Sequence, residues 1–447
     1  MVSAVEQLAK NANFGALSKA TELKRRIMFV LGALLVYRLG TYIPVPGIDP
    51  VVWNEIFSQK GGGILDMFNM FSGGALQRMT IFALNIMPYI SASIIMQLAT
   101  SMSPKLEAMK KEGETGRMKI NQYTRYFTVL LAAIQAYGLA VGLEQMQGST
   151  GPAVIDAGLF FRISTVITIV GGTVFLMWLG EQITQRGVGN GISLIIFAGI
   201  VAELPRAIVS TLELGRQGQF NFLELLVIAA LIVGVITFIV FMERAQRRVI
   251  VQYPKRQVGN QMMMGEQNFL PLKLNTAGVI PPIFASSLLL LPLTIVGFSG
   301  ADGGDFTAAI SRWLQHGQPA YMFMYGALIM FFAFFYTAIV FNPQENADML
   351  KRYGGFIPGI RPGTPTAEHL DYVLTRITTI GALYLVFICL LPEFMLSRYS
   401  LPFYFGGTSL LIVVTVTLDT VGQIHSHLIA HQYEGLIKKS KLRGKRR

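Results

Sequence analysis

The chain has little of what marks a soluble or catalytic protein. Of its 447 residues only 14% are charged, against about a quarter in a soluble domain. It has one cysteine, Cys389, inside an apolar run. A disulfide framework and a cysteine-based metal site are thereby excluded, and the thiol reads as packing. No paired nucleophile and base stands at a common depth, so a catalytic constellation is missing. The stretch "QRGVGNG" follows no strand and precedes no Gly-Lys-Ser/Thr, so it is not a phosphate loop. His425, His427 and His431 gather near the end of the last apolar run and read as solvated histidines, not metal ligands. No cofactor is implied. A cleavable signal peptide is also missing: the first apolar run begins near Ile27, behind Lys24-Arg25-Arg26, with no small-x-small cleavage site.

Hydrophobic residues, in contrast, make up 52% of the chain, with 45 glycines. They come in runs of about 17 to 25, the length a helix needs to cross roughly 30 Å of hydrocarbon. Ten such spans are expected, at 27–43, 78–100, 125–144, 158–179, 190–208, 222–242, 275–297, 321–341, 373–394 and 402–430. An even count puts both termini on one side. Alternate connecting segments hold 29 of the 37 Lys and Arg residues, which makes that side cytoplasmic. The same asymmetry accounts for the net charge of +12 without nucleic acid.

The chain therefore divides into a cytoplasmic N-terminal segment (1–26), a five-span half (27–208), a second five-span half (209–430) and a basic cytoplasmic tail (431–447). Two large cytoplasmic loops fall in the second half. In 243–274 the β-branched "RVIVQY" suits a hairpin. In 342–372 the Gly/Pro-rich "GGFIPGIRPGTP" holds Arg361 outward at a turn tip. Loops of this length without low-complexity sequence read as docking surfaces.

One stretch fails the length test. Residues 61–77, "GGGILDMFNMFSGGALQ", hold about a dozen apolar positions between glycines, too few to span. A re-entrant element is the natural reading, with a helix lying on the membrane surface as the alternative. Two further stretches echo each other. "IMPYISAS" (86–93) and "VIPPIFAS" (279–286) align Pro88 with Pro281 and Ile90 with Ile283. "GNGISLII" (189–196) and "FGGTSLLI" (405–412) align Ser193 with Ser409 and Ile196 with Ile412. Together they point to a 5+5 repeat, inverted because five is odd, with a pathway between the halves. The prolines are expected to kink the second and seventh spans.

These residues resemble the SecY family, the protein-conducting channel of the general secretory pathway. The resemblance runs from about Leu23 to Tyr433 and rests on "MFNMFSGGAL", "IFALNIMPYISASIIMQL", "MWLGEQITQRGVGNGISLIIFAGI", "NTAGVIPPIFASS", "FNPQENADML", "PGIRPG" and "LPFYFGGTSLLIVV". It implies an all-α polytopic fold of ten transmembrane helices, in two inverted five-helix halves around a central pore. It implies a pore ring of Ile86, Ile90, Ile192, Ile196, Ile283 and Ile412, and a plug within 64–76. The plug positions are Ile64, Leu65, Met67, Phe68, Met70, Phe71, Ser72, Gly73 and Gly74. Spans 2 and 7 match a lateral gate, with Pro88, Ser91, Gln97, Asn275, Pro281 and Pro282 along it. Arg244, Arg247, Arg248, Lys255, Arg256 and Arg361 match the surface gripped by ribosomes and the SecA motor. The implied partners are SecE, SecG, SecA, the ribosome, signal sequences, unfolded precursors and lipid, in the bacterial inner membrane.

One residue departs from the pattern: Asn85 stands where the family usually has glycine, a change that bears on helix packing or on the closed seal. Isoleucine suits a pore for unfolded chains. It offers no charge or hydrogen bond to a passing polypeptide, and a narrow apolar ring excludes water by dewetting. A secondary transporter also uses inverted repeats, but would place ionisable groups where these isoleucines stand. Asp419, roughly 22 Å into the last span at 1.5 Å per residue, reads as a boundary residue with a partner or water contact. Glu181 and Arg38 are expected to snorkel from helix ends.

Overall fold

An apolar segment in hydrocarbon has no water to satisfy its peptide groups, so it coils into a helix that closes its own hydrogen bonds. The computed structural model describes residues 21–60, 69, 72–146, 148, 151–217, 222–254, 256–258, 261–263, 267–298, 318–399 and 407–444. In chain order the helices are α1 (Thr21–Gly40), α2 (Pro50–Lys60), α3 (Met87–Met102), α4 (Pro104–Lys111), α5 (Glu114–Glu144), α6 (Leu159–Arg186), α7 (Gly191–Arg216) and α8 (Phe222–Arg244). Four short strands follow: β1 (Gln246–Gln252), β2 (Arg256–Val258), β3 (Gln261–Met263) and β4 (Gln267–Lys273). Then come α9 (Ile280–Phe298), α10 (Pro319–Val340), α11 (Pro343–Arg352), α12 (Thr364–Tyr399) and α13 (Gly407–Gly444).

Among the described residues, seven helices are long and apolar enough to cross a membrane: α5, α6, α7, α8, α10, α12 and α13. The remaining three of the ten spans are α1, which carries Lys24, Arg25, Arg26 and Arg38, the 16-residue α3, and α9. At 1.5 Å per residue α3 is about 24 Å long, less than the hydrocarbon core. The expected helix over 78–86 is instead a run of turns. It cannot coil regularly because Met79 and Asn85 stand at φ 46° and 49°.

Two compact units make up the chain. The first comprises 1–205, 297–300 and 416–447, and the boundary at Pro205 falls inside α7. Its core gathers Trp53 and Phe57 of α2, Leu76, Met79, Ala83 and Leu84 of the turn run, and Ala136, Ala140, Leu143, Phe161 and Ile169 of α5 and α6. Alanines at four-residue spacing let α5 approach its neighbour closely. Two ion pairs, each with two hydrogen bonds, fasten the same helices at opposite ends. Arg125 donates to Glu181 at 2.8 and 2.7 Å, and Arg162 to Glu144 at 2.9 and 2.6 Å. Glu181 is therefore held by a partner rather than snorkelling. Asp419 is exposed on α13.

In the second unit, 206–296 with 301–415, β1 and β4 pair antiparallel from Gln246↔Lys273 to Gln252↔Gln267. Val249 and Leu272 point inward to Ile357, Leu370, Val373 and Ile377. The sequence leaves the two large loops separate, but they are joined here. Gln252 N–H donates to Phe356 O at 2.8 Å and Phe356 N–H to Gln252 O at 2.9 Å. Cys389 is buried and is not part of a disulfide.

The internal echoes hold in three dimensions. Shifting by 193 residues carries the start of α3, Met87, onto the start of α9, Ile280. The same shift carries Asn85 onto Gly278, which also has a positive φ, 63°. It carries Ile81 onto Leu274. The Ile81 carbonyl lies where a Cβ on Gly172 of α6 would stand, and the Leu274 carbonyl lies 2.6 Å from a Cβ on Gly381 of α12. Shifting by 216 carries Gly191, first residue of α7, onto Gly407, first residue of α13. A Cβ on Gly191 would meet the Gly180 carbonyl, and one on Gly407 the Ile388 carbonyl. Each half thus repeats the same glycine-to-carbonyl approaches.

The prolines do not kink their helices as expected. Pro88 and Pro281 each stand one residue after their helix begins, and Pro282 follows in the same first turn. There a missing N–H costs nothing and the fixed φ favours initiation. They are start signals.

Asn85 needs a left-handed backbone, which glycine adopts freely and asparagine tolerates better than other side chains. Asn85→Gly is therefore expected to leave thermal unfolding in detergent unchanged, whereas Asn85→Val lowers stability by about 1–3 kcal/mol. Gly191→Ala and Gly407→Ala each lose about 1–3 kcal/mol through overpacking. Unfolding curves that overlay the parent for the valine and alanine variants would contradict this account.

Candidate pore and gate elements

The six candidate ring isoleucines fall at helix starts. Ile86 is the N-cap of α3, and Ile90 lies one turn inside; both are buried. Ile192 and Ile196 occupy the first turns of α7, and Ile192 packs against Gly180 of α6. Ile196 is buried and Ile192 half-buried. These four belong to the first unit. Ile283, half-buried in the first turn of α9, and Ile412, buried in α13, belong to the second.

Of the candidate plug, Ile64, Leu65, Met67, Phe68, Met70 and Phe71 lie outside the described residues, while Ser72, Gly73 and Gly74 lie inside and are buried. The chain from Ser72 to Ile86 is non-helical, and its peptide groups find partners locally or on the strand-like 43–45. Val45 N–H donates to Met79 O at 2.9 Å and Ile81 N–H to Ile43 O at 3.0 Å. Gly74 N–H donates to Asn69 O, and Thr80 N–H to Ala75 O. Irregular backbone at this depth is tolerable because protein encloses it.

Side chains hold the same stretch. Tyr37 Oη donates to Ser72 O at 3.2 Å, Arg38 Nη1 to Gly73 O at 2.8 Å and Trp53 Nε1 to Leu76 O at 3.0 Å. Arg38 is therefore engaged, not free to snorkel. Arg78 sits 3.7 Å from Glu203 of α7, and the Tyr42 ring lies under both guanidiniums, 5.1 Å from Arg38 and 4.3 Å from Arg78. Sequence reasoning missed Tyr37, Trp53 and Glu203. The signal was weak: an isolated Trp beside a Gly-rich segment.

The gate candidates carry a few polar groups on apolar helices. Ser91 is buried in α3, and Gln97 Nε2 donates to Ser93 Oγ at 3.3 Å. Asn275, ahead of α9, donates through Nδ2 to Glu243 Oε1 at 2.6 Å and to Gly278 O at 3.1 Å, closing the turn that starts the helix. Pro88, Pro281 and Pro282 are buried. The candidate docking arginines Arg244, Arg247, Arg248 and Arg361 are all exposed. Arg361 stands between Gly359 (φ 84°) and Gly363 (φ 110°), and its carbonyl accepts from Thr366 Oγ1 at 2.8 Å. Lys255 and the side chain of Arg256 lie outside the described residues. No group of three or more His, Cys, Asp or Glu among the described residues could hold a metal.

The SecY family model matches residues 80–421. Protein translocase subunit SecY of Escherichia coli strain K12 is 56% identical over 424 residues, covering 95% of this chain and 96% of that protein. The Vibrio cholerae subunit is 56% identical over 433 residues, covering 96% and 97%. That of Rickettsia typhi is 54% identical over 424 residues, covering 95% and 98%. Among solved structures, a protein-conducting channel superposes with a TM-score of 0.65 at 18% identity, covering 90% of this chain and 92% of that one. Sec61 in a canine ribosome-channel complex gives 0.59 at 17% identity with the same coverage. With identities of 54–56% over nearly its whole length and the family model spanning most of it, this chain belongs to the SecY family.

Proposed function

We propose that this chain, the channel-forming subunit of a protein translocase, passes unfolded polypeptides through a ring of Ile86, Ile90, Ile192, Ile196, Ile283 and Ile412. It releases transmembrane segments sideways into lipid between α3 and α9. The reading rests most on one observation: the apolar ring positions lie at the starts of helices whose glycine and left-handed contacts recur in both halves. In an inverted-repeat membrane protein, interrupted helices at corresponding places mark the pathway. Here that pathway is lined by isoleucine rather than by ionisable groups, which suits a cargo of arbitrary sequence.

The chain is a multi-pass membrane protein. The excess of Lys and Arg in alternate segments supports cytoplasmic termini, and the relatives' bacterial hosts support the inner membrane. It acts as a passive conduit. Energy comes from a motor ATPase of the SecA type or from the ribosome, engaging the exposed arginines of the two large loops, with SecE and SecG as membrane partners. The solved relatives include channels described in complex with ribosomes, which supports that docking. Residues 64–76 serve as the closing plug, and a related structure carries a plug that stabilises the closed state.

A disulfide between facing cysteines on α3 and α9, in a Cys389→Ser background, is expected to block precursor export once oxidised. Export that persists with the crosslink complete excludes the gate. Arg361→Glu is expected to reduce motor-driven translocation into vesicles at least tenfold, as loss of a fully used charged contact does, with assembly intact. Parental rates would remove Arg361 from the docking surface.

A further inference from the structure

We infer that Tyr37, Arg38 and Trp53 are positioning residues that clamp residues 72–76 as a fixed post, so that the channel opens without displacing this stretch. The inference rests on the plug reading above and narrows it. Ser72, Gly73 and Gly74 become the plug's immobile root.

Three carbonyls within five residues each accept a hydrogen bond from a side chain outside the stretch. The donors to Ser72 and Gly73 come from the last turn of α1, and the donor to Leu76 comes from α2. Tyr37 is 0% and Trp53 2% exposed. Withdrawing 72–76 would strand a buried phenol and a buried indole N–H, the costliest way to lose such bonds. The stretch is also braced from within. Asn69 Oδ1 accepts from Gln77 N–H at 2.9 Å, and Ser72 Oγ donates to Asn69 O at 3.0 Å while accepting from Leu76 N–H at 3.3 Å.

Backbone clearance on the α7 side leaves no room for sliding. A Cβ on Gly73 would stand 2.9 Å from Gly199 Cα, and one on Gly74 would stand 2.5 Å from Glu203 Oε1 and 3.0 Å from Arg78 Nη2. Gly73 and Gly74 hold φ of 65° and 80°, a left-handed backbone that a side chain at either position would strain. The Arg38 and Arg78 guanidiniums stacked on Tyr42 hold the donor to Gly73 in place.

The test uses the assembled translocase in planar bilayers and vesicles. Trp53→Phe and Arg38→Met each remove one clamp donor and should raise substrate-free ion conductance about five- to tenfold, the worth of one hydrogen bond. Arg38→Lys should restore most of the seal, with thermal unfolding unchanged. Independently, Asn54→Cys with Gln77→Cys, whose parent side chains meet at 3.2 Å, should accept a short bis-thiol bridge in a Cys389→Ser background. Precursor transport should then continue at near-parental rate. Abolished transport after complete bridging overturns the proposal even if the Trp53 variant fails to assemble. Deletion of 64–71 separates the two readings. If the deletion raises leak but the donor variants do not, the clamp falls and the plug stands. If the deletion raises no leak, the plug reading falls, and the bridge alone decides whether 72–76 is fixed.

Discussion

The organisation of this protein depends on one constraint: a peptide group within hydrocarbon must find its hydrogen-bond partner inside the protein. Most of the chain meets it by coiling. Residues 72–86 meet it another way, through turns of their own, through 43–45, and through the side chains of Tyr37, Arg38 and Trp53. The consequences spread from there. α3 starts late, at Met87, and Ile86 caps it. The left-handed backbone at Met79 and Asn85 is held by this net, and the Trp53–Leu76 core closes over it.

The same solution recurs in the other half with different residues. Gly278 repeats the left-handed turn of Asn85, and Leu274 against Gly381 repeats Ile81 against Gly172. Where backbone must touch backbone, side chains are excluded, and glycine persists on both sides. Where only φ is constrained, asparagine can substitute. Asn85 is therefore a local conformational exchange.

Much of this was legible in the letters. The apolar runs marked the ten spans, and the short run at 61–77 marked itself by length. The paired "MPYI" and "PPIF" stretches marked the repeat. The prolines were legible as landmarks but not as structure: whether a Pro kinks or starts a helix depends on where the helix begins. That was set by hydrogen bonds from residues some forty positions earlier, Ile43 and Val45. Tyr37, Trp53 and Glu203 left no periodic or motif signal, because their role comes from meeting carbonyls and an arginine distant in sequence. Likewise the Gln252–Phe356 pairing joins loops about a hundred residues apart, beyond any local pattern.

That pairing also has a mechanical meaning. Two backbone hydrogen bonds tie the β1–β4 hairpin to the chain leading into the Arg361 turn, and Gly355 lies against the Tyr253 ring with no room for a side chain between. A force applied at Arg361 is thus carried through Phe356 into β1. From there it reaches the base of α8, which ends two residues before β1 begins. The two surface loops are thus fastened to each other and, through β1, to the end of α8, so the Arg361 turn cannot shift away from the hairpin without breaking both of those hydrogen bonds.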